Sequence, residues 1–401
     1  MALEKLETDL LVDLTAGIFT SVGVARVIYH PPTSQTLIFA SARPSGDTSN
    51  RLVCWMVRGG VITGPVNSGV AWSSSYLDLH YDSSTGLIIA IETISSDATI
   101  VRLAISVGGL SVYPLNSVNP ALPARFPSSH PISGSAIDMG TRRAVLVLSG
   151  DAIYMLGFLY SSGGYKHVAR KVIWTGTVYE VSTDADIVLD NRAMSSSSGN
   201  SAIYDQASGR FFISASERNS PYVTWFWYGT VSGGVFTPGT PTSLGTLGSM
   251  YSIAALSNDN SLVVGRNFQY SYMLTSGQVS AGALSFSPFP WSEEQVSGLA
   301  GPAANSDGSI IGLVFNTSIS YTTFVVFIDP EGELISGPHQ LAASGSYLQN
   351  SLAYNSADGD FHVLFYEQTA SGYGGKGLNL LTIGEGDSNF WTNFAGQTEI
   401  V

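Results

Sequence analysis

A repeated pattern constrains this sequence more than any other feature. A β-like segment precedes a short polar or glycine-containing turn, and an apolar segment rich in β-branched residues follows. The pattern occurs seven times, with anchor residues 48 to 67 positions apart. These anchors are Tyr29, Tyr81, Ile137, Tyr204, Ala255, Ala303 and Tyr354. Self-similarity at such a period predicts that one supersecondary unit is stacked repeatedly along the chain.

A second set of turns falls between these copies. Turns with one or two glycines separate two further β-like segments, and a proline often follows within a few residues. These turns are Gly59-Gly60, Gly108-Gly109, Gly163-Gly164, Gly233-Gly234, Gly277-Gln278 and Gly332-Glu333. Glycine supplies the positive φ of tight hairpin turns, and proline is confined to outer strands because it cannot donate to the ladder. Each unit is therefore predicted to hold four antiparallel strands.

The strand composition indicates how the units pack. Residues 52–57, 87–91 and 323–328 are apolar at almost every consecutive position. A sheet with one face in water would alternate polar and apolar residues instead. Four-stranded units about every 50 residues, buried on both faces, are typical of a β-propeller. We predict an all-β, seven-bladed β-propeller of four-stranded antiparallel blades, with residues 1–401 as a single domain.

The two ends of the sequence suggest how such a ring would close. The seventh unit lacks a glycine turn and a fourth strand, and a polar tail at residues 384–401 follows it. The chain begins with an extra β-like segment at residues 9–14, inside an N-terminal stretch of residues 1–20. We expect this N-terminal strand to complete the last blade, because closure removes the edges that would template aggregation.

Composition excludes several functions. The single cysteine rules out a disulfide framework and a multi-cysteine metal site, and the net charge of −13 argues against binding nucleic acid. The N-terminus has no basic start followed by an unbroken apolar run, so no signal peptide is expected. Only 12% of residues are charged, and four are lysines. Lysine is depleted at interfaces, so this surface suits a subunit packed against others.

The sequence gives little support for a catalytic nucleophile or a metal site. The histidines show no metal-ligand spacing, and Cys54 lies inside an apolar strand where a thiol is inert. His30 and His80 flank two anchors and are interpreted as turn residues, whereas His362 is predicted to be a satisfied core imidazole. Short segments such as 305–308 lack the closing acid of a calcium loop. No catalytic residue, metal or cofactor is predicted.

Carboxylates are the main candidates for catalysis. Glycoside hydrolysis needs two of them, about 5–10 Å apart across the scissile bond. A pair at the mouth of the channel could come from five acids. These are Asp78, Asp138, Asp184, Asp186 and Glu217. A structural role competes, because Asp82, Asp138 and Asp205 occupy turn positions where a carboxylate accepts from the backbone two residues on.

Aromatic residues in loops are the candidates for binding. Aromatic side chains left at loop positions often mark contact surfaces, although capping the core is a rival role. The predicted binding residues are Trp72, Tyr76, Trp291, Phe390 and Trp391. Within a blade, the aromatic run at residues 222–228 is better interpreted as a buried third strand.

The repeat resembles the seven-bladed β-propeller superfamily across nearly the full chain. Its Ser/Thr/Gly-rich, lysine-poor style is similar to propeller proteins of bacteriophage tails. That resemblance implies a non-enzymatic scaffold in the virion tail, located in the virion or otherwise the cytoplasm. Its partners would be other tail subunits, further copies of the chain or a host-surface glycan, with no nucleic acid and no membrane insertion. The alternatives are a lectin-like carbohydrate-binding propeller, or a glycoside hydrolase or polysaccharide lyase with carboxylates at the channel mouth.

Overall fold

The computed structural model describes most of the chain, and every structural statement below concerns the residues it describes. They are 11–14, 19–72, 77–94, 97–107, 109–113, 124–127, 137–138, 144–149, 151–161, 164–176, 179–184, 187–192, 201–205, 209–217, 223–232, 235–243, 249–255, 261–267, 274–280, 283–289, 296–317, 322–329, 334–342, 350–368 and 376–385.

The described strands form seven antiparallel sheets, numbered here in chain order. A short strand, β1 (Leu11–Asp13), precedes them. Sheet 1 contains β2 (Phe19–His30), β3 (Gln35–Pro44), β4 (Arg51–Arg58) and β5 (Val61–Ala71). Sheet 2 contains β6 (Asp78–Asp82), β7 (Leu87–Ile94), β8 (Asp97–Ser106), β9 (Gly109–Tyr113) and β10 (Ala124–Pro127). Sheet 3 contains β11 (Ile137–Asp138), β12 (Ala144–Ser149), β13 (Ala152–Ser161), β14 (Gly164–Trp174), β15 (Tyr179–Val181) and β16 (Ile187–Asp190).

The second half of the chain continues in the same way. Sheet 4 contains β17 (Ser201–Asp205), β18 (Arg210–Ser216), β19 (Thr224–Ser232), β20 (Val235–Pro238) and β21 (Thr242–Ser243). Sheet 5 contains β22 (Ser249–Ala255), β23 (Ser261–Asn267), β24 (Leu274–Ser280) and β25 (Ala283–Phe289). Sheet 6 contains β26 (Val296–Ala304), β27 (Ile311–Thr317), β28 (Thr323–Ile328) and β29 (Leu334–Ala342). Sheet 7 contains β30 (Ser351–Asn355), β31 (Asp360–Gln368) and β32 (Lys376–Gly384), together with β1. Between β2 and β3 lies a 3₁₀ turn, Pro31–Thr33.

This arrangement confirms the predicted all-β class and the four-stranded antiparallel unit. Sheets 1, 5 and 6 each hold four strands that pair in chain order, and sheet 7 takes its fourth strand from the N-terminus. In that sheet β1 pairs antiparallel with β32, with Leu11 opposite Leu381, and the Leu14 amide donates to the Leu378 carbonyl oxygen at 2.8 Å. The N-terminal segment therefore pairs where the sequence predicts.

The third repeat was assigned wrongly from the sequence. The anchor at Ile137 and the apolar run 144–149 were expected to be the first and second strands of that unit. In the structure both β11 and β12 pair with β13, so β12 is the first strand of the hairpin and β13 the second. The Ser149 hydroxyl accepts from the Asp151 amide at 3.3 Å, which closes a turn that no aromatic anchor precedes.

The core consists of apolar layers between consecutive sheets. Residues 52–57, 87–91 and 325–328 are all buried, as expected of strands covered on both faces. One apolar cluster joins sheets 1 and 2, others join sheets 2 and 3, 3 and 4, and 6 and 7, and a further cluster joins sheet 7 to sheet 1. Along β12, Val145 and Val147 pack toward sheet 2, whereas Leu146 and Leu148 pack toward sheet 4. The two-residue period of a strand thus supplies both layers.

The outer strands β5 and β29 contain the same irregularity. Each has a Gly-Pro pair with a cis peptide bond at a register shift, Gly64-Pro65 in β5 and Gly337-Pro338 in β29. Gly64 has φ +110°, and a Cβ there would lie 2.8 Å from the carbonyl oxygen of Cys54. At Gly337, with φ +102°, the corresponding distance to the Val325 carbonyl oxygen is 2.9 Å. Only glycine fits both positions, which explains why a glycine precedes the proline.

Candidate active site

In β2 and β6, the first strands of sheets 1 and 2, polar side chains occupy two regions with different surroundings. The end that leads into the second strand is called here the turn end, and the positions two to four residues before it are called the site end. By this count Arg26 in β2 and Asp78 in β6 occupy equivalent positions, because β2 ends at His30 and β6 at Asp82. Strands β2 and β6 contact one another. Their site ends therefore bring a guanidinium and a carboxylate into the same region.

Asp78 is hydrogen-bonded to His80 on its own strand. The two residues are two positions apart, so their side chains lie on the same face of β6. His80 Nε2 lies 3.1 Å from Asp78 Oδ2, and the side chains are 26% and 33% exposed respectively. A carboxylate acceptor fixes the proton of the neutral imidazole on Nε2, which leaves the lone pair on Nδ1. Nδ1 makes no hydrogen bond to any residue that the structure describes.

Arg26 adds positive charge to this pair. It belongs to the face of β2 that also carries Val24 and Ile28, which pack in the layer between sheets 1 and 2. Its guanidinium is half-buried, and Nη1 donates to the carbonyl oxygen of Ala25 at 2.8 Å. Asp78, His80 and Arg26 are called below the Asp78 cluster.

These neighbours keep Asp78 ionised. Desolvation by itself would raise the pKa of Asp78, but the charge and hydrogen bond of His80, the charge of Arg26 and the Leu79 amide outweigh it. The pKa of Asp78 is consequently lowered from its ordinary value. A permanently charged carboxylate beside a solvent-accessible imidazole is the arrangement that orients a general base and stabilises its protonated form.

The other candidate carboxylates are not gathered at this cluster by any described contact. Asp184 is exposed on the turn after β15, where Lys171 Nζ donates to it at 3.1 Å and lowers its pKa together with Ser182. Asp138 pairs through its backbone opposite Phe158 in β13, and Asp186 lies outside the described residues. The predicted pair of converging acids is therefore not formed by Asp78 and Asp184.

Glu217 belongs to a different cluster between sheets 3 and 4. Its Oε1 accepts a hydrogen bond from Trp225 Nε1 at 2.7 Å. The Arg192 guanidinium lies 3.4 Å from the centroid of the Trp225 ring and pairs with Asp190 at 2.9 Å. The indole face is thus covered by a guanidinium, a cation–π contact that fixes the margin of two sheets and leaves that face closed to a sugar ring.

Of the five aromatic binding residues predicted from loops, the structure describes Trp72. Trp72 is completely buried in the layer between sheets 1 and 2, and its carbonyl oxygen accepts from Ser41 Oγ at 2.9 Å. It caps the core, so the prediction of an exposed contact residue is wrong there. The chain turns inward after β5, and a loop position in sequence therefore did not mean exposure. Tyr76, Trp291, Phe390 and Trp391 lie outside the described residues.

His30, His362 and the cysteine have structural roles. His30 ends β2, contacts Thr33 Oγ1 at 2.7 Å and the Gly86 carbonyl oxygen at 3.0 Å, and so fulfils its predicted turn role. His362 is buried and lies 2.9 Å from Thr36 Oγ1, as a satisfied core imidazole should. Burial raises the pKa of Cys54 far above its ordinary value, so this thiol is not a nucleophile.

The residues that the structure describes contain no group of three or more His, Cys, Asp or Glu side chains that could hold a metal ion. They also form no helix long and apolar enough to span a membrane.

The sequence matches no known protein family, and no curated protein is similar to it. Solved structures are similar in fold. Hydrazine synthase from Kuenenia stuttgartiensis shares 10% identity and a TM-score of 0.51, over 88% of this chain and 95% of that one. Prolyl oligopeptidase B from Galerina marginata shares 9% identity and a TM-score of 0.50, over 87% of this chain and 47% of that one. NanB sialidase from Streptococcus pneumoniae shares 10% identity and a TM-score of 0.45, over 95% and 71%.

These similarities establish a β-propeller-type, all-β fold and nothing more specific. The chain spans about half the length of the prolyl endopeptidase and puromycin-hydrolysing peptidase structures that it matches.

The prediction of a non-enzymatic bacteriophage scaffold is wrong. The two solved structures described above with TM-scores of 0.50 or more are enzymes, a hydrazine synthase and a prolyl oligopeptidase, and neither is a phage protein. The lysine-poor composition that led to the scaffold prediction describes the average surface and carries no information about a local cluster such as Asp78 and His80. The described cations are instead used within the chain, as in the Arg102–Asp151 pair at 3.1 Å.

Proposed function

We propose that the seven sheets are the blades of one closed β-propeller, with β1 as the strand that completes sheet 7. Support comes from the apolar layer that joins sheet 7 to sheet 1. Three polar contacts cross the same junction. They are Val27 N to Ser351 Oγ at 3.1 Å, Thr36 Oγ1 to His362 Nδ1 at 2.9 Å, and Gly59 N to Asp358 Oδ2 at 3.1 Å. Sheets 4, 5 and 6 are linked through contacts among β17, β22 and β26.

Deletion of residues 1–14 tests this closure. The deletion removes a paired strand and the buried Leu14 side chain, so we expect a loss of about 3–5 kcal/mol in the free energy of unfolding. It also exposes the edge of β32, which should promote association of the variant. Thermal unfolding and light scattering measure the two effects. An unchanged melting temperature in a monomeric variant would mean that β1 does not close a ring.

We propose further that the chain is an enzyme that cleaves glycosidic bonds at the Asp78 cluster. The observation that carries this proposal is the accessible His80 imidazole, whose Nε2 is held by an ionised Asp78 and whose Nδ1 makes no hydrogen bond within the described part of the chain. His80 is the catalytic base, and Asp78 is a positioning residue that holds its tautomer. The side chains of His80 and Asp78 are 26% and 33% exposed, so solvent reaches the cluster.

The experiment is an assay for new reducing ends on a panel of polysaccharides, with three variants. We expect His80→Gln and Asp78→Asn to lose activity by about 10²–10⁴-fold, because a general base and its partner contribute that much. Asp184→Asn is the matched control, since it neutralises an exposed, paired aspartate away from the cluster and should keep full activity.

The split between kcat and KM separates positioning from mere structural support. Asp78→Asn should lower kcat with little change in KM, because the base loses its orientation while the contacts that bind the substrate remain. An Asp78→Asn variant with full kcat contradicts the positioning role. Saturable binding of a polysaccharide without turnover would support a carbohydrate-binding protein and reject the enzyme.

A further inference from the structure

A second polar cluster lies at the margin between sheets 3 and 4. It consists of Asp190, Arg192, Glu217 and Trp225 and is called below the Arg192 cluster. Asp190 Oδ1 accepts from the Arg192 amide at 2.8 Å, and its Oδ2 accepts from Arg192 Nη1 at 2.9 Å. The guanidinium stacks on the Trp225 ring, whose Nε1 donates to Glu217 Oε1. Two acids thus flank an arginine that is held in place by a carboxylate and an indole.

These contacts use only part of the hydrogen-bonding capacity of the cluster. Within the described part of the chain, Nε and Nη2 of Arg192 and Oε2 of Glu217 make no hydrogen bond. The Arg192 side chain is 40% exposed, and Glu217 and Trp225 are half-buried. The cluster therefore presents unused donors and an unused acceptor on side chains that are already ordered, which lowers the entropy cost of binding a ligand.

The Arg192 cluster lies at the same edge of the sheets as Asp78. The strand β6 begins at Asp78, Trp225 is the second residue of β19, and β16 ends at Asp190. The strand β16 is an outer strand of sheet 3 and pairs with β14, the third strand of its hairpins. Because strands of an antiparallel sheet alternate in direction, the start of a first strand, the start of a third strand and the end of a fourth strand share one edge.

Contacts between the sheets keep the same edges together. Arg102 of sheet 2, opposite Ile89 near the start of β7, pairs with Asp151 on the turn between β12 and β13. Trp227 Nε1 of sheet 4 donates to the Leu189 carbonyl oxygen of sheet 3 at 3.2 Å. Packed sheets are about 10 Å apart and paired strands about 4.8 Å apart, so the two clusters are separated by on the order of 20 Å. A polymer spans that distance, whereas a short oligosaccharide does not.

We infer that the Arg192 cluster binds the substrate chain away from the point of cleavage, and that this chain is a neutral polysaccharide. The inference rests on the proposed function of the Asp78 cluster as the site of glycosidic-bond cleavage. A hydroxyl is both a donor and an acceptor, so adjacent hydroxyls of a sugar ring accept from Arg192 and donate to Glu217. They do so at the rim of the cluster, since the guanidinium covers the indole face on which a ring would stack.

The charges of the cluster favour a neutral polymer over an acidic one. At neutral pH, Asp190 and Glu217 are two anions beside the single cation of Arg192, and the whole chain has a net charge of −13. One Nη of the guanidinium is already engaged by Asp190. A uronate or sulfate group would be repelled by both carboxylates, whereas a hydroxyl carries no charge and avoids that penalty.

The first test measures binding, which does not depend on turnover. The full chain is run in native gels that contain amylose, galactomannan or xylan, with polygalacturonate as the acidic comparison. We expect retardation by a neutral polymer and none by polygalacturonate. Arg192→Gln and Glu217→Gln should each weaken that binding about tenfold or more, since a hydrogen bond to a charged group contributes that much. Arg58→Gln, at the exposed end of β4, is the control and should bind as the wild type does.

The second test compares substrates of different length in the reducing-end assay. On the neutral polymer that is bound, Arg192→Gln should raise KM about tenfold and leave kcat unchanged, because the cluster does not touch the reacting bond. A trisaccharide of the same polymer is too short to span both clusters, so Arg192→Gln should cleave it as the wild type does. Equal losses on polymer and trisaccharide overturn a binding position away from the point of cleavage.

The outcomes separate this inference from the proposed function. Cleavage of a neutral polymer with wild-type binding in Arg192→Gln and Glu217→Gln overturns the Arg192 site, while the cleavage function stands. Weakened binding in both variants without cleavage by the wild type supports the glycan contact and overturns the enzymatic function. No retardation by any neutral polymer, or retardation by polygalacturonate that Arg192→Gln abolishes, overturns the neutral substrate class. Circular dichroism checks folding, and Glu217→Gln is the milder change because its amide oxygen still accepts from Trp225.

Discussion

The two ends of the first strands β2 and β6 hold their polar side chains in different ways. At the turn end, His30 and Asp82 are 1% and 0% exposed, and their polar atoms bond the adjoining turns. At the site end, Arg26, Asp78 and His80 are partly exposed, His80 contacts Asp78, and Arg26 adds positive charge nearby. The same strands thus use buried polar groups for stability at one end and accessible ones for chemistry at the other.

Acid should have the largest effect on stability, through His30 at the turn end of β2 and through the buried His362 of β31. His362 and His30 are buried as neutral imidazoles; desolvation lowers the pKa of His362 from 6.5 to about 4 and that of His30 in the same direction. Neutral His362 and His30 contribute fully to the free energy of unfolding above pH 6.5, the pKa of histidine in the unfolded chain. That contribution is lost as the pH falls toward 4. We expect a loss of about 3 kcal/mol from His362 alone, since one pKa unit corresponds to about 1.4 kcal/mol.

Urea unfolding at a series of pH values measures this loss. His362→Gln, which cannot be protonated, should flatten part of the dependence. The site end should remain intact over this range, because the pKa of Asp78 is lowered and its carboxylate protonates only below its ordinary pKa of 3.8. A flat stability profile from pH 7 to 4 would contradict the comparison of the two ends.

Replacement of His30 should give the next largest effect. The ring contacts Tyr81 edge-on at 5.5 Å and bonds the Gly86 carbonyl oxygen of sheet 2. His30→Ala removes a buried ring at the junction of sheets 1 and 2, and we expect a loss of about 3 kcal/mol. Thermal unfolding should be measured for His30→Ala and for His80→Ala. The His80→Ala variant should lose less than about 1 kcal/mol, because its side chain is partly exposed. Equal losses would show that the ends do not differ.

Asp82 offers a matched contrast with Asp78. Its carboxylate accepts from the Ser84 amide at 3.1 Å, from Ser84 Oγ at 2.7 Å and from Thr85 Oγ1. Asp82→Asn retains the shape but replaces one acceptor oxygen with a donor, and we expect a loss of about 2 kcal/mol. Asp78→Asn should change unfolding by less than that and abolish catalysis. Denaturant titration and the reducing-end assay together measure both variants.

The smallest effect is expected at Asp358, on the turn between β30 and β31. Its Oδ2 accepts from the Gly59 amide and from Asn355 Nδ2 at 2.9 Å. The residue is exposed, so water can replace both bonds, and Asp358→Ala should cost about 1 kcal/mol or less. Thermal unfolding measures it. A loss as large as that of His30→Ala would mean that exposure does not govern the strength of these contacts.

The sequence predicted the fold well where local signals repeat. Consecutive apolar residues and glycine turns identified the strands of sheets 1, 2, 6 and 7 and the pairing of β1. They failed at sheet 3, because a serine rather than an aspartate or asparagine closes the turn after β12. The site was only partly predictable. Asp78 was a candidate, but His80 was interpreted as a turn residue, and no local signal marks Arg26.

What joins these three residues is the contact between two strands more than 50 positions apart in the chain. Such a contact depends on how sheets 1 and 2 pack, which no local pattern encodes. The spacing Asp-x-His within a strand was the one available signal, since it places both side chains on a single face.

The displaced register of β5 and β29 has a bearing on solubility. Val61, Leu334 and Ile335 are exposed at 62%, 44% and 39% at the start of these outer strands, where an apolar border could recruit a neighbouring chain. Pro65 and Pro338 carry no amide hydrogen, and the shifted backbone around them offers an incoming strand no regular ladder to extend. We therefore expect the exposed apolar side chains at the start of these two strands not to seed fibrils, because the adjoining backbone is a poor template for strand addition.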